Sequence, residues 1–150
     1  MSKVRVEKLS PRYRDWAVEV ASVRMLVEEV KDPKLVNIPQ IYTLVDRTSS
    51  EGTFLIALAD ETPIGALGAI RVPNIYNPSL TALTELFWYV LPEWRSSRAG
   101  LLLLKGLIEM GRDDDYITMS LLPASEINEK TLQKYGFIHS ERSFVKVKDK

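Results

Sequence analysis

Trp88-Tyr89-Val90-Leu91-Pro92-Glu93-Trp94-Arg95-Ser96-Ser97-Arg98-Ala99-Gly100-Leu101 is the stretch on which the fold turns. It closes a nearly continuous apolar run, Leu80 to Leu91, rich in aromatics as expected of a strand buried on both faces. Pro92 to Ser97 reads as a short loop with small residues. It opens directly into a helix from Arg98 to Met110 with an apolar face of Leu101, Leu104, Leu107 and Ile108. Backbone N–H groups at a helix start lack internal partners, and the helix dipole adds partial positive charge there. Such a junction favours a phosphate or pyrophosphate. Arg95 and Arg98 flank it with guanidinium groups suited to phosphate oxygens, and Gly100 removes a side chain where a ligand or a neighbouring strand can approach. On spacing alone, an ordinary strand–helix connection with two exposed arginines reads equally well.

Val4 to Leu9 alternates as a short first strand, and Ser10-Pro11 carries the chemistry of a helix start. Trp16, Val20, Val23, Leu26 or Val27, and Val30 then recur at helical spacing as one apolar stripe, ended by Asp32-Pro33. A second, shorter helix begins near Pro39 and turns Ile41, Leu44 and Val45 inward. Phe54 to Ala59 and Ile64 to Val72 are apolar strands around the turn Asp60-Glu61-Thr62-Pro63. Beyond the Arg98–Met110 helix come a polar loop, Asp113-Asp114-Asp115, and an apolar strand from Tyr116 to Leu122. A last helix from Ala124 to Tyr135 ends at Gly136, where a left-handed residue is wanted. Phe137 to Val147 supplies one or two closing strands. The expectation is one mixed α/β domain over residues 1–150, with a sheet of about six or seven strands.

A chain of 150 residues, 45% hydrophobic and 27% charged, suits a globular domain that closes its own core. Twenty basic and twenty acidic residues cancel, so no global field recruits nucleic acid or an anionic membrane. Cysteine is absent, which excludes disulfides, thiolate metal sites and cysteine nucleophiles. The opening residues lack the apolar core of a signal peptide, and no apolar stretch is long enough to span a bilayer, so a cytoplasmic protein is expected.

Val90-Leu91-Pro92-Glu93-Trp94-Arg95-Ser96-Ser97-Arg98-Ala99-Gly100 resembles motif A of the GNAT N-acyltransferases. The resemblance extends to the strand–helix–helix opening, to Ala59–Gly65 as the family's second hairpin, and to Leu132-Gln133-Lys134-Tyr135-Gly136-Phe137 as the end of its fourth helix. It implies the GNAT fold, with acetyl-CoA as acyl donor and an amine of a small molecule or protein as acceptor; a homodimer is compatible with it. It implies that backbone groups of Tyr89 and Val90 hold the pantetheine arm, beside a strand bulge that aims an N–H at the thioester oxygen. Arg95, Ser96, Ser97, Arg98, Ala99, Gly100 and Leu101 would wrap the pyrophosphate, largely through main-chain N–H groups. Three positions depart from the pattern. Arg98 replaces the first glycine of the motif, a form that resembles virus-encoded members. Ser125 replaces an asparagine of the fourth helix, with Asn128 one turn later, both on the cofactor side. Leu132 stands where a tyrosine often protonates the leaving thiolate.

The implied chemistry is direct transfer, which needs a base for the ammonium and donors for an oxyanion. Glu85 is the only charge between Leu83 and Leu91, and alternation sets it on the face of Phe87 and Tyr89. It is the candidate catalytic base. Tyr135 beside the turn and the lone His139 are weaker candidates, with packing or solvated positions as the ordinary reading. The three consecutive aspartates diverge in direction and read as a solvated loop rather than a metal site. Tyr42, Asp46, Asn74 and Tyr76 fall in the region that would hold the acceptor. The two functions left open are an active N-acetyltransferase and a GNAT-fold protein with a weakened site that serves in binding or structure.

Overall fold

The apolar runs on either side of Asp60 pair as an antiparallel hairpin, β2 (Gly52–Ala59) with β3 (Thr62–Pro73), and Asp60 makes the turn in the left-handed region at φ 56°. β1 (Val4–Lys8) joins the outer side of β2, β4 (Thr81–Val90) lies antiparallel to β3, and β5 (Tyr116–Thr118) runs parallel to β4. This computed structural model describes residues 3–122 and 127–148, and the sheet order in it is β1-β2-β3-β4-β5. No helix among the described residues is long and apolar enough to cross a membrane.

Both faces of the sheet are covered, which is why β2 is buried almost from end to end. On one face lies α3 (Ala99–Met110), whose Leu103 and Leu107 meet Leu55, Leu67 and Leu83. On the other lie the N-terminal helical run and α2 (Ile38–Glu51), where Val18, Ala21, Ile41 and Val45 meet Phe54, Ala66 and Phe87. Asn37 starts α2 by accepting the Gln40 N–H at 3.1 Å. On α3, Leu104 and Leu107 are buried as expected; Ala99 and Leu103 join them, while Leu101 and Ile108 are half-buried.

The N-terminal run corrects the sequence reading. A tight turn at Pro11–Tyr13 leads into α1 (Arg14–Trp16), then into two wide π-helical stretches, Ala17–Ser22 and Met25–Glu29. Its buried residues are Tyr13, Ala17, Val18, Ala21, Ser22 and Met25, whereas Trp16, Val20, Val23 and Leu26 are half-buried and Val27 and Val30 are exposed. A π turn takes more residues than the roughly 3.6 of an α turn, so the inward face drifts onto a four-residue repeat. Small residues at that repeat let the backbone sit close to the sheet, and the larger stripe read from α periodicity is displaced sideways.

The C-terminal part is also shorter in regular structure than its pattern. β5 ends at Thr118 rather than Leu122, and α4 (Glu129–Lys134) begins where Asn128 Oδ1 accepts the Thr131 N–H at 3.0 Å. Residues 123–126, which include Ser125, lie outside the described residues. Gly136 ends the helix at φ 91°, as expected. Residues 137–148 carry no strand, and the described sheet has five strands rather than six or seven. The three-residue β5 offers little template for pairing, and the polar run Ser140 to Ser143 interrupts the apolar alternation, leaving Ile138, Phe144 and Val145 at 86%, 85% and 87% exposure.

Candidate functional site

The site is made by two parallel strands that part company. Among the described residues, β5 pairs with β4 only along Ala82, Leu83 and Thr84. Immediately afterwards β4 carries a bulge: Glu85 stands opposite Ala69 and Phe87 opposite Gly68, which leaves Leu86 as the extra residue. Gly68 makes the bulge possible. A Cβ there would lie 2.6 Å from the Phe54 ring and 3.1 Å from that of Phe87, so two aromatic rings occupy the space a side chain would take. The bulge therefore sits at Leu86, upstream of the Tyr89–Val90 position implied by the family pattern. It also breaks simple alternation. Leu83 packs in the same cluster as Trp88 and Val90 despite its odd number, and Glu85 points into the gap rather than into the layer of Phe87 and Tyr89.

From Glu85 onward the edge of β4 that faced β5 is open among the described residues. The Leu91 N–H donates to Ile64 O at 2.8 Å, so Leu91 directs its backbone groups toward β3. Successive residues alternate, so Trp88 and Val90 present theirs to the open edge and Tyr89 directs its own toward β3. The Tyr89 side chain is engaged within the protein. Its hydroxyl donates to Glu28 Oε1 at 2.9 Å, and burial with that carboxylate beside it pushes the phenol up to about 12.

Glu85 closes the apex of the split. Its Oε1 accepts the Ser120 N–H at 3.2 Å, bridging the two diverging strands. Burial raises its carboxyl to about 7, against the opposing pull of the Ser120 N–H and with help from the negative charge of Glu29. A carboxylate poised near neutrality suits proton removal from an ammonium. The cavity beneath it has a volume of about 210 Å³, with Met25, Val30 and Leu122 as apolar wall, Trp88 as aromatic wall, and Glu29 as a second acid. Glu29 was missed in the sequence, because α periodicity gave no reason to turn it inward.

At the far end of β4, Pro92–Trp94 makes a tight turn and Arg98 stands at the start of α3. Ser97 Oγ accepts the Ala99 N–H at 3.2 Å, while the N–H groups of Ser96, Arg98, Gly100 and Leu101 have no acceptor among the described residues. These donors are the candidate anion cradle of the strand–helix junction. Ala99 is fully buried and fixes the helix to the sheet; Ser96 and Arg98 are exposed. Arg98 has φ −80°, so its position makes no demand for glycine. A Cβ on Gly100 would come no closer than 3.4 Å to Ile127, so the protein itself leaves room there. That contact brings the approach to α4, with Asn128 as its cap, beside the cradle. Arg95 turns inward instead of flanking the loop: its Nε donates to Val90 O at 2.9 Å, its guanidinium lies 5.3 Å from the Tyr89 ring centre, and its Nη2 is 3.6 Å from Glu29 Oε1.

Other candidates lie elsewhere. Leu132 is buried and has no proton to give. Tyr135 lines a separate hollow with Ile108 and Asp115, at the end of α3 remote from the cradle, roughly 16 Å along the helix. Tyr42 and Asp46 are held in a surface network by Asp15 and Arg14, and Tyr76 is 94% exposed. The Asp113 side chain is 96% exposed, as a solvated loop implies, but its two neighbours are engaged. The Asp114 side chain is 4% exposed and takes a bidentate Arg71 at 2.8 and 2.9 Å, and Asp115 accepts the Thr81 N–H at 2.8 Å. Together they clamp the paired end of β4 and β5, below the split.

Solved structures share this fold at low identity. A predicted acetyltransferase from Clostridium acetobutylicum, solved with acetyl-CoA, aligns with 97% of this chain and 96% of its own, at TM-score 0.74 and 16% identity. The aminoglycoside N-acetyltransferase AAC(6')-Iy in complex with CoA aligns over 99% and 96%, at TM-score 0.70 and 17% identity. An aminoglycoside acetyltransferase from an uncultured soil metagenomic sample, in complex with trehalose, aligns over 97% of each chain at TM-score 0.66 and 12% identity. Among curated proteins, no sequence matches significantly. The sequence model of the acetyltransferase (GNAT) family matches residues 14–137, a span that contains the split strands, Glu85 and the cradle, and this chain belongs to that family.

Proposed function

We propose that the protein transfers an acetyl group from acetyl-CoA to a primary amine, with Glu85 as the base. The observation that carries the reading is the open edge of β4, which has a carboxyl raised to about 7 at one end and unpaired N–H donors at the other. The donors of Ser96, Arg98, Gly100 and Leu101 fit a diphosphate, and the space over Gly100 admits it closely. The open-edge N–H groups of Trp88 and Val90 would hold the pantetheine arm, and one of them would steady the charge on the thioester oxygen. Acetyl-CoA supplies the activated acetyl thioester. Glu85 would take a proton from the acceptor ammonium, through water, so that the free amine attacks the carbonyl carbon as the C–S bond breaks. With leucine at position 132, the departing thiolate would take its proton from solvent. The acetyl-CoA and CoA complexes of the structural relatives support the donor, and a cytoplasmic setting goes with this reading.

A titration of acetyl-CoA followed by calorimetry and thermal melting tests the donor, since a ligand specific for the folded state raises the melting temperature. CoA release with polyamines, aminoglycosides, amino acids and peptide N-termini then tests transfer. Absence of heat and of any melting shift at millimolar acetyl-CoA would overturn the proposal.

A further inference from the structure

We infer that the acceptor carries two ammonium groups, one held by Glu29 while the other is presented to Glu85; this rests on the acetyl-transfer reading above. Among the described residues of the cavity wall, only these two side chains are charged, and both are carboxylates. They come from different elements, the second π-helical stretch and the bulge of β4, so the cavity lies between them.

Glu29 is the decisive residue. Its side chain is only 10% exposed, and its Oε2 is buried without any hydrogen-bond partner among the described residues. Its other oxygen lies 3.6 Å from Arg95 Nη2, an ion pair whose charge partly offsets the burial but which is longer than a hydrogen bond and leaves both groups short of partners. The nearby Glu28 carboxylate does not help, since it is itself negative and is engaged by the Tyr89 hydroxyl. A buried carboxylate oxygen left unsatisfied is costly, and burial drives the Glu29 carboxyl upward from its ordinary range. A cationic donor entering the cavity removes that cost. The apolar wall of Met25, Val30 and Leu122 suits the methylene chain between two ammonium groups, and the Trp88 ring offers a further face to a cation. A volume of about 210 Å³ is below that of drug-sized pockets, so the ligand is a small diamine or the diamine end of a larger polyamine.

The test titrates CoA-saturated protein with α,ω-diamines, with the alkylamines of the same length, and with the matching amino alcohols, in which a hydroxyl replaces the second ammonium. Binding by calorimetry does not require turnover. The diamine should bind at least about tenfold more tightly than either control, as expected of one added charge-assisted contact. Glu29→Gln should bring that ratio close to one. Equal affinity of diamine and amino alcohol for the wild type, or no binding of any diamine, overturns the inference whether or not the variant folds. With acetyl-CoA in place of CoA, CoA release in the presence of all three amines without a diamine preference would refute the inference and leave acetyl transfer standing. Diamine-selective binding without any CoA release would do the reverse.

Discussion

Replacing Glu85 with glutamine should stabilise the protein at neutral and alkaline pH while removing the proposed base. The folded state holds the carboxyl at about 7, against 4.5 for the ordinary side chain. Well below pH 4.5 the group is protonated in both folded and unfolded chains, and no charge is buried. As pH rises from 4.5 to 7 the unfolded chain releases its proton and the folded chain keeps it, so stability falls through that window and stays low above it. The gap corresponds to about 3 kcal/mol. Glutamine cannot ionise, yet its carbonyl oxygen can still accept the Ser120 N–H now bonded at 3.2 Å. Urea unfolding of both proteins, followed by the fluorescence of the three tryptophans, gives the difference at each pH. It should be near zero in acid and grow to about 2–3 kcal/mol in favour of Glu85→Gln above neutrality. A difference that does not vary with pH, or a variant less stable at every pH, would refute the claim that Glu85 is a carboxyl buried at a cost to the fold.

Arg98 is exposed at the start of α3, so Arg98→Ala should leave the melting temperature unchanged and weaken CoA binding by about 1–2 kcal/mol, measured by calorimetry. Gly100→Ala should hold or raise thermal stability, because its Cβ meets nothing closer than 3.4 Å and alanine favours a helix, yet it should weaken CoA binding several-fold. Asp114→Asn should lower unfolding stability by about 1–3 kcal/mol by breaking the bidentate pair with Arg71. Arg71 holds the Asp114 carboxyl below its ordinary range, so this contribution is present above that range and fades as pH falls through the lowered value; denaturation curves of the two proteins should converge in acid.

The strand–loop–helix core of the site was legible because its signals are local. A run of apolar residues, a proline-bounded loop and a glycine near a helix start need no distant partner to be recognised, and β4, the Pro92–Trp94 turn and α3 fall where that pattern puts them. Glu85 was legible for a different reason, as a lone charge in an apolar strand. Its direction was not, because the bulge at Leu86 depends on Phe54 and Phe87 closing over Gly68, a contact between three strands. Glu29 was hidden by the π turns, which no α periodicity anticipates and which bring a surface-looking acid to the cavity wall. Asp114 looked like one of three equivalent loop carboxylates; only the fold brings Arg71 to it from β3. Arg95 carried the right charge for the cradle, but Glu29 and the Val90 carbonyl hold it on the inner side.

The most direct measurement is the pH dependence of acetyl-CoA-dependent CoA release with a diamine acceptor, for the wild type and for Glu85→Gln. With Glu85 as base, the wild-type rate should rise with pH through an apparent pKa near 7, the value its burial sets. The glutamine variant should lose that limb and turn over roughly 10²–10⁴-fold more slowly, with CoA affinity intact. A variant that releases CoA at the wild-type rate with the same pH profile would contradict the assignment of Glu85.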